Sequence, residues 1–187
     1  KQSYYKINEA MSKLLPNKRF IPFGRINQLS RDMFSEAEHI HSLGLKGIKI
    51  HTHNEAIKWY HPLFRKLDKL DLPLIIHTGN NYNSDVRHLK DIPCSSPIII
   101  AHGGKDKISE AIKIVNSCEN LYIETSLLSL RRTQILIDRV KDKSKIFFGS
   151  DSPFHHPELE LKKIRYACND EHLVRQISGK NIQKILK

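Results

Sequence analysis

The sequence predicts an α/β fold built on a parallel sheet, and three observations carry that expectation. Six short apolar runs rich in Ile, Leu or Phe recur along the chain, each bounded by turn residues, as buried parallel strands do. Segments with helical spacing lie between them. Each strand-plus-helix unit takes about thirty residues, the size of one βαβ step. With 187 residues and no internal repeat or low-complexity linker, 1–187 reads as a single domain with its own core. Such a chain forms either a doubly wound open sheet or a (β/α) barrel. No glycine-rich phosphate loop follows the first run, which leaves a dinucleotide-binding sheet with little support.

The opening segment, "KQSYYKINEAMSKLLPNKRF", reads as a helix ahead of the first run, "FIPFGRI" (20–26). The next helix is expected over Ser35–Leu43. There Ser35 and Glu38 stand at capping-box spacing, and Gly44 is a C-terminal stop. The run "GIKIH" (47–51) precedes a helix near 55–70, in which Trp59, Tyr60, Phe64 and Leu67 keep helical spacing and read as core. "PLIIHT" (73–78) leads into a long polar loop over 79–96 with room for a short helix. "PIIIAH" (97–102), "LYIETS" (121–126) and "KIFFGSD" (145–151) complete the strands, with helices near 107–117, 129–141, 157–167 and 171–186.

Composition narrows the function classes. Hydrophobic residues at 39% and charged residues at 27% describe an ordinary globular balance. No run is long enough to span a bilayer, and the first twenty residues contain no continuous apolar segment of a signal peptide. No membrane partner is therefore expected. Cys94, Cys118 and Cys168 are odd in number and widely spaced, which argues against a disulfide framework and places the chain in the cytoplasm. The net charge of +11 could serve nucleic acid or anionic substrates. The lysines are scattered and no basic run carries interleaved aromatics, so nucleic acid is not expected as a partner.

Four of the six runs end in an ionisable side chain: His51, His77, His102 and Asp151. In a barrel the active site lies at that edge. Alternation puts Ile48 and Ile50 on one face and Lys49 and His51 on the other, and it puts His77 with Ile75 and Asp151 with Phe147 and Gly149. Helices covering the Ile48/Ile50 face would leave Lys49, His51 and His77 inside. One strand-end histidine is most simply a satisfied core or surface residue. Three with an aspartate at equivalent ends form a candidate site, because neutral imidazole and carboxylate are ligands that zinc and similar ions use. Glu124 shares a face with Tyr122 and Ser126. It either orients a histidine or satisfies a strand-end amide. His39, His41, His88, His155, His156 and His172 read as helix and loop surface.

Taken in order, "LGLKGIKIHTH", "LPLIIHTG", "IIIAHGG", "NLYIETS", "IFFGSDSP" and "GKNIQKIL" resemble strands four to eight and the last helix of the amidohydrolase-related family of metal-dependent hydrolases. The resemblance runs from about Arg19 to the C-terminus. It implies a (β/α)8 TIM barrel and one divalent ion, most often Zn2+, that activates a water toward a small-molecule substrate. By position, His77 and Asp151 are the implied metal ligands, His102 the catalytic histidine, and Asp151 also a proton acceptor. Lys49 and His51 fall on the substrate side. A decarboxylase of the same family is the alternative.

The sequence departs from the family in one respect. The family's metal-binding His-x-His belongs to strand one, whereas here His51 and His53 follow the lysine of strand four. Strands three to eight are matched, six of eight. An open barrel exposes two strand edges and invites pairing. The expected partners are therefore a second copy of the chain or a complementing N-terminal segment. A non-catalytic partner subunit is the competing reading.

Overall fold

The computed structural model describes residues 3–27, 29–52 and 62–186. Its six strands are β1 (Gly24–Arg25), β2 (Ile48–Ile50), β3 (Leu74–His77), β4 (Ile98–Ala101), β5 (Leu121–Glu124) and β6 (Ile146–Phe147). All pair in parallel and lie in chain order. A doubly wound sheet reverses direction at a switch point. This one never does, so each crossover advances the same way, as in a TIM barrel.

Register explains both layers. Ile50, Ile76, Ile100 and Ile123 are successive partners across β2–β5, and all four are fully buried. They form the face on which the helices pack. The alternate row, Lys49, Ile75, Ile99 and Tyr122, faces the interior. Because the strands are parallel and in register, the residues just beyond their C-terminal ends share one rim.

The helices are α1 (Tyr5–Ser12), α2 (Met33–Ser42), α3 (Pro62–Lys69), α4 (Ile108–Ser117), α5 (Leu130–Arg139), α6 (Pro157–Ala167), α7 (Glu171–Arg175) and α8 (Asn181–Gln183). The expected capping box is not formed. α2 starts two residues before Ser35, with Asp32 at its N-cap, and Glu38 instead pairs with Lys66 on α3. Gly44 does end α2: its φ of +76° suits glycine, and its N–H meets the His41 carbonyl at 3.0 Å. Phe64 and Leu67 are core, while Trp59 and Tyr60 lie outside the described residues. The 79–96 loop holds two 3₁₀ turns, Tyr82–Ser84 and Val86–Asp91. The last helical stretch is broken by a wide turn over Gln176–Lys180.

The outer strands are not left bare at their central residues. The Asn8 amide, fully buried, donates to the Arg25 carbonyl at 2.9 Å and accepts from the Arg25 N–H at 2.8 Å. It bonds β1 as a neighbouring strand would. The buried Glu36 carboxylate accepts from the Asn27 N–H at 3.1 Å and from the Tyr4 N–H. On the other side, the Asn181 amide donates to the Ile146 carbonyl at 3.0 Å, and the Phe148 N–H donates to the Ile177 carbonyl at 2.9 Å. The edges expected to be open are thus satisfied at Arg25, Asn27, Ile146 and Phe148 by the chain's own helical segments.

Candidate active site

Beyond β4 the chain turns sharply. His102, Gly103, Gly104 and Lys105 all adopt positive φ, at 62°, 56°, 79° and 49°. Asp151 does the same beyond β6, at 55°. Non-glycine residues enter this region rarely, and such residues cluster at functional sites. These turns aim the rim.

His77 Nδ1 and His102 Nε2 are 3.0 Å apart. The His51 ring stacks on His77 with centroids 4.2 Å apart and planes at 22°. A cavity of about 190 Å³ is lined by Lys49, His102, Glu124, Ser126, Gly149 and Asp151, over an apolar floor that includes Ile75, Ile99 and Phe147. The structure therefore brings Lys49, His102 and Asp151 to one cavity, with His77 one hydrogen bond from His102 and His51 stacked on His77. His53, the other half of the His-x-His pair, lies outside the described residues.

Burial dominates the electrostatics. It pushes His77 down to about 3, helped by nearby His51, His102, Lys49 and Lys105. It pushes His102 to about 3 as well, helped by Lys49 and Lys105. Both rings are neutral imidazoles at neutral pH. Burial also lowers Lys49, against the opposing pull of Glu124 and Asp151, and raises Glu124.

Glu124 satisfies backbone amides, one of the two roles left open by the sequence, and it reaches the His102 ring through Ser126. Its carboxylate accepts the backbone N–H of His102 and, at 2.6 Å, that of Ser126. It also accepts the Ser126 hydroxyl at 2.7 Å, and Ser126 Oγ stands 2.8 Å from His102 Nδ1. Ser126 was not singled out by sequence reasoning as a site residue. Its position two residues after Glu124 on the same strand face was the available signal. His39, His41, His88, His155, His156 and His172 stay on helices and loops, as expected: His156 caps α6, and His155 lies 3.5 Å from Glu160.

Imidazole and carboxylate are suitable in kind for a divalent ion. Among the described residues, however, no three His, Cys, Asp or Glu side chains are gathered so that they could hold one. An ordinary catalytic zinc site uses three protein ligands.

The amidohydrolase family pattern matches residues 16–187, nearly the whole chain. The chain belongs to the amidohydrolase family. A relative from Buchnera aphidicola subsp. Baizongia pistaciae, described as an uncharacterized metal-dependent hydrolase, is 25% identical over 145 residues. The match covers 74% of this chain and 54% of the relative, so the chain spans about half the length of that curated protein. Among solved structures, an uncharacterized TIM-barrel protein from Bordetella bronchiseptica superposes with a TM-score of 0.80 at 19% identity, over 99% of this chain and 74% of its own. Dihydroxybenzoic acid decarboxylase from Polaromonas sp. JS666, with bound manganese and the inhibitor 2-nitroresorcinol, gives 0.73 at 16% identity, over 96% and 73%. These likenesses establish the TIM-barrel fold type of this amidohydrolase-family chain. No helix among its described residues is long and apolar enough to cross a membrane.

Proposed function

We propose that this amidohydrolase-family protein is a metal-dependent hydrolase cleaving C–N or C–O bonds in a small-molecule substrate. The observation that carries the reading is the gathering of Lys49, His102 and Asp151 around one small cavity, with His77 bonded to His102. His77 and Asp151 are this chain's contribution to the ligands of one divalent ion, Zn2+ by preference. Further donors come from beyond the described residues, supplied by a complementing segment or a second copy of the chain. His102 is the acid–base residue of the site, a task for which a neutral imidazole is suited. Asp151 is its second proton acceptor, and Lys49 and His51 face the substrate. The three cysteines, none in a disulfide, fit work in the cytoplasm.

A decarboxylase is the second reading. Lys49 supports it, because a cation held inside an apolar-floored cavity selects a carboxylated substrate.

The test loads the full chain with Zn2+ or Mn2+, measures bound metal, and assays ester, lactone and amide hydrolysis alongside CO2 release from carboxylated phenols. Hydrolysis lost in His102→Asn, with metal content reduced in His77→Ala and Asp151→Asn, is the expected result. CO2 release without hydrolysis selects the decarboxylase. Metal content unchanged in both ligand variants, with no turnover under either ion, overturns both readings.

A further inference from the structure

We infer that Glu124 and Ser126 are positioning residues that fix the proton of His102 on Nδ1, leaving Nε2 as the nitrogen that accepts from His77. This deepens the proposed function and rests on it only for the role of His102. The two backbone N–H groups and the Lys49 ammonium favour an ionised Glu124 against its burial, and an ionised carboxylate can only accept. Two backbone N–H groups, from His102 and Ser126, already point at Glu124. The Ser126 hydroxyl, 2.7 Å from Oε1, therefore spends its single proton on Glu124 and faces His102 Nδ1 with a lone pair. At 2.8 Å, His102 Nδ1 must then donate.

A neutral imidazole carries one proton, so His102 Nε2 is an acceptor. The partner 3.0 Å away is His77 Nδ1, which donates. The proton of His77 thus also sits on Nδ1. The chain Glu124–Ser126–His102–His77 runs in one direction, and the carboxylate sets that direction. A hydrogen bond to one ring nitrogen choosing the chemistry of the other is the usual way a histidine is set for its task.

The space around Glu124 is shaped for it. A Cβ placed on Gly149 would stand 1.8 Å from Glu124 Oε2, so the β6 end approaches the carboxylate as closely as only glycine allows. Ser126 is 1% exposed and His102 4%. Solvent does not compete for these hydrogen bonds.

The tautomer is read directly by long-range ¹H–¹⁵N correlation on ¹⁵N-histidine-labelled protein, with His102 assigned from its loss in His102→Asn. The expected spectrum shows His102 protonated on Nδ1 alone. Ser126→Ala should shift it to the Nε2–H form or a mixture, and Ser126→Thr, which keeps the hydroxyl, should restore it. A His102 proton on Nε2 in the unaltered chain overturns the inference, even if Ser126→Ala fails to fold. So does an unchanged tautomer in folded Ser126→Ala. The readout needs no turnover: the expected tautomer in a chain without hydrolytic activity defeats the proposed function alone, and the opposite tautomer in an active chain defeats this inference alone.

Discussion

Asn8 and Arg25 are bonded through both polar groups of one side chain and both polar groups of one backbone unit, at 2.9 and 2.8 Å. Asn8 comes from α1 and is fully buried, so removing the amide leaves a partly buried N–H and C=O of Arg25 without this partner. Leaving a buried polar group unsatisfied costs about 1–3 kcal/mol. Asn8→Ala should therefore lower the denaturation free energy by about that amount, and Asn181→Ala should do the same at the other edge. Both variants should also scatter more light than the unaltered chain, since an unpaired strand edge templates association. A variant as stable and as monodisperse as the parent would show that these asparagines do not seal the sheet.

Gly149 faces Glu124 in the same way that Asn8 faces Arg25: one residue type satisfies a constraint set by a distant one. A methyl at Gly149 collides with the carboxylate, so Gly149→Ala must displace Glu124 and with it the Ser126 contact. Overpacking of this kind costs about 1–3 kcal/mol. The expected result is a lower denaturation midpoint together with a changed His102 ¹⁵N pattern. A loss of stability with the His102 pattern intact would separate packing from positioning.

Asp85 supplies the pH dependence. It is 3% exposed and bonded by Arg87 at 2.7 Å and by Lys107. Chiefly the Arg87 hydrogen bonds, and then Lys107, hold its carboxyl well below the usual range despite burial. A carboxyl whose folded value is depressed contributes stability that is present above its unfolded value, about 3.9, and lost as pH falls below it. Asp85→Asn should be less stable than the parent at pH 7, and the gap should close as pH falls from about 4 toward 2. Urea midpoints measured across that range check it. A gap independent of pH would assign the Asp85 contribution to packing.

What the sequence made legible follows from which interactions are local. Alternation over a few residues placed Lys49 inside, Ile48 and Ile50 against the helices, and Glu124 on one face with Ser126, because side-chain direction in a strand has period two. Strand ends marked the rim for the same reason. The edge caps were hidden, since Asn8 reaches Arg25 across 17 positions and Asn181 reaches Ile146 across 35. No spacing rule carries such a pair. Asn8 left one trace, a polar residue at the buried position of a helix. Ser35 and Glu38 misled in the opposite sense. The local motif was present, but the Lys66 pairing across α3 claimed Glu38, and α2 began earlier.

Lys49 separates stability from function most sharply. Burial lowers its pKa, so the folded state holds a charge at a cost, partly offset by Glu124 and Asp151. Desolvation outweighs those attractions, so an apolar side chain of similar length removes a net cost of burying the ammonium. For a chain of this size each kcal/mol moves the melting temperature by about 2–4 °C. Lys49→Met should therefore melt at the same temperature as the parent or above it. An anionic aromatic carboxylate that raises the parent's melting temperature should no longer do so in the variant, because the cation it meets in the cavity is gone. Differential scanning fluorimetry with and without the carboxylate measures both. If Lys49→Met melts several degrees lower, Lys49 is a structural partner of Glu124 and Asp151, and the substrate-facing charge must be sought elsewhere on the rim.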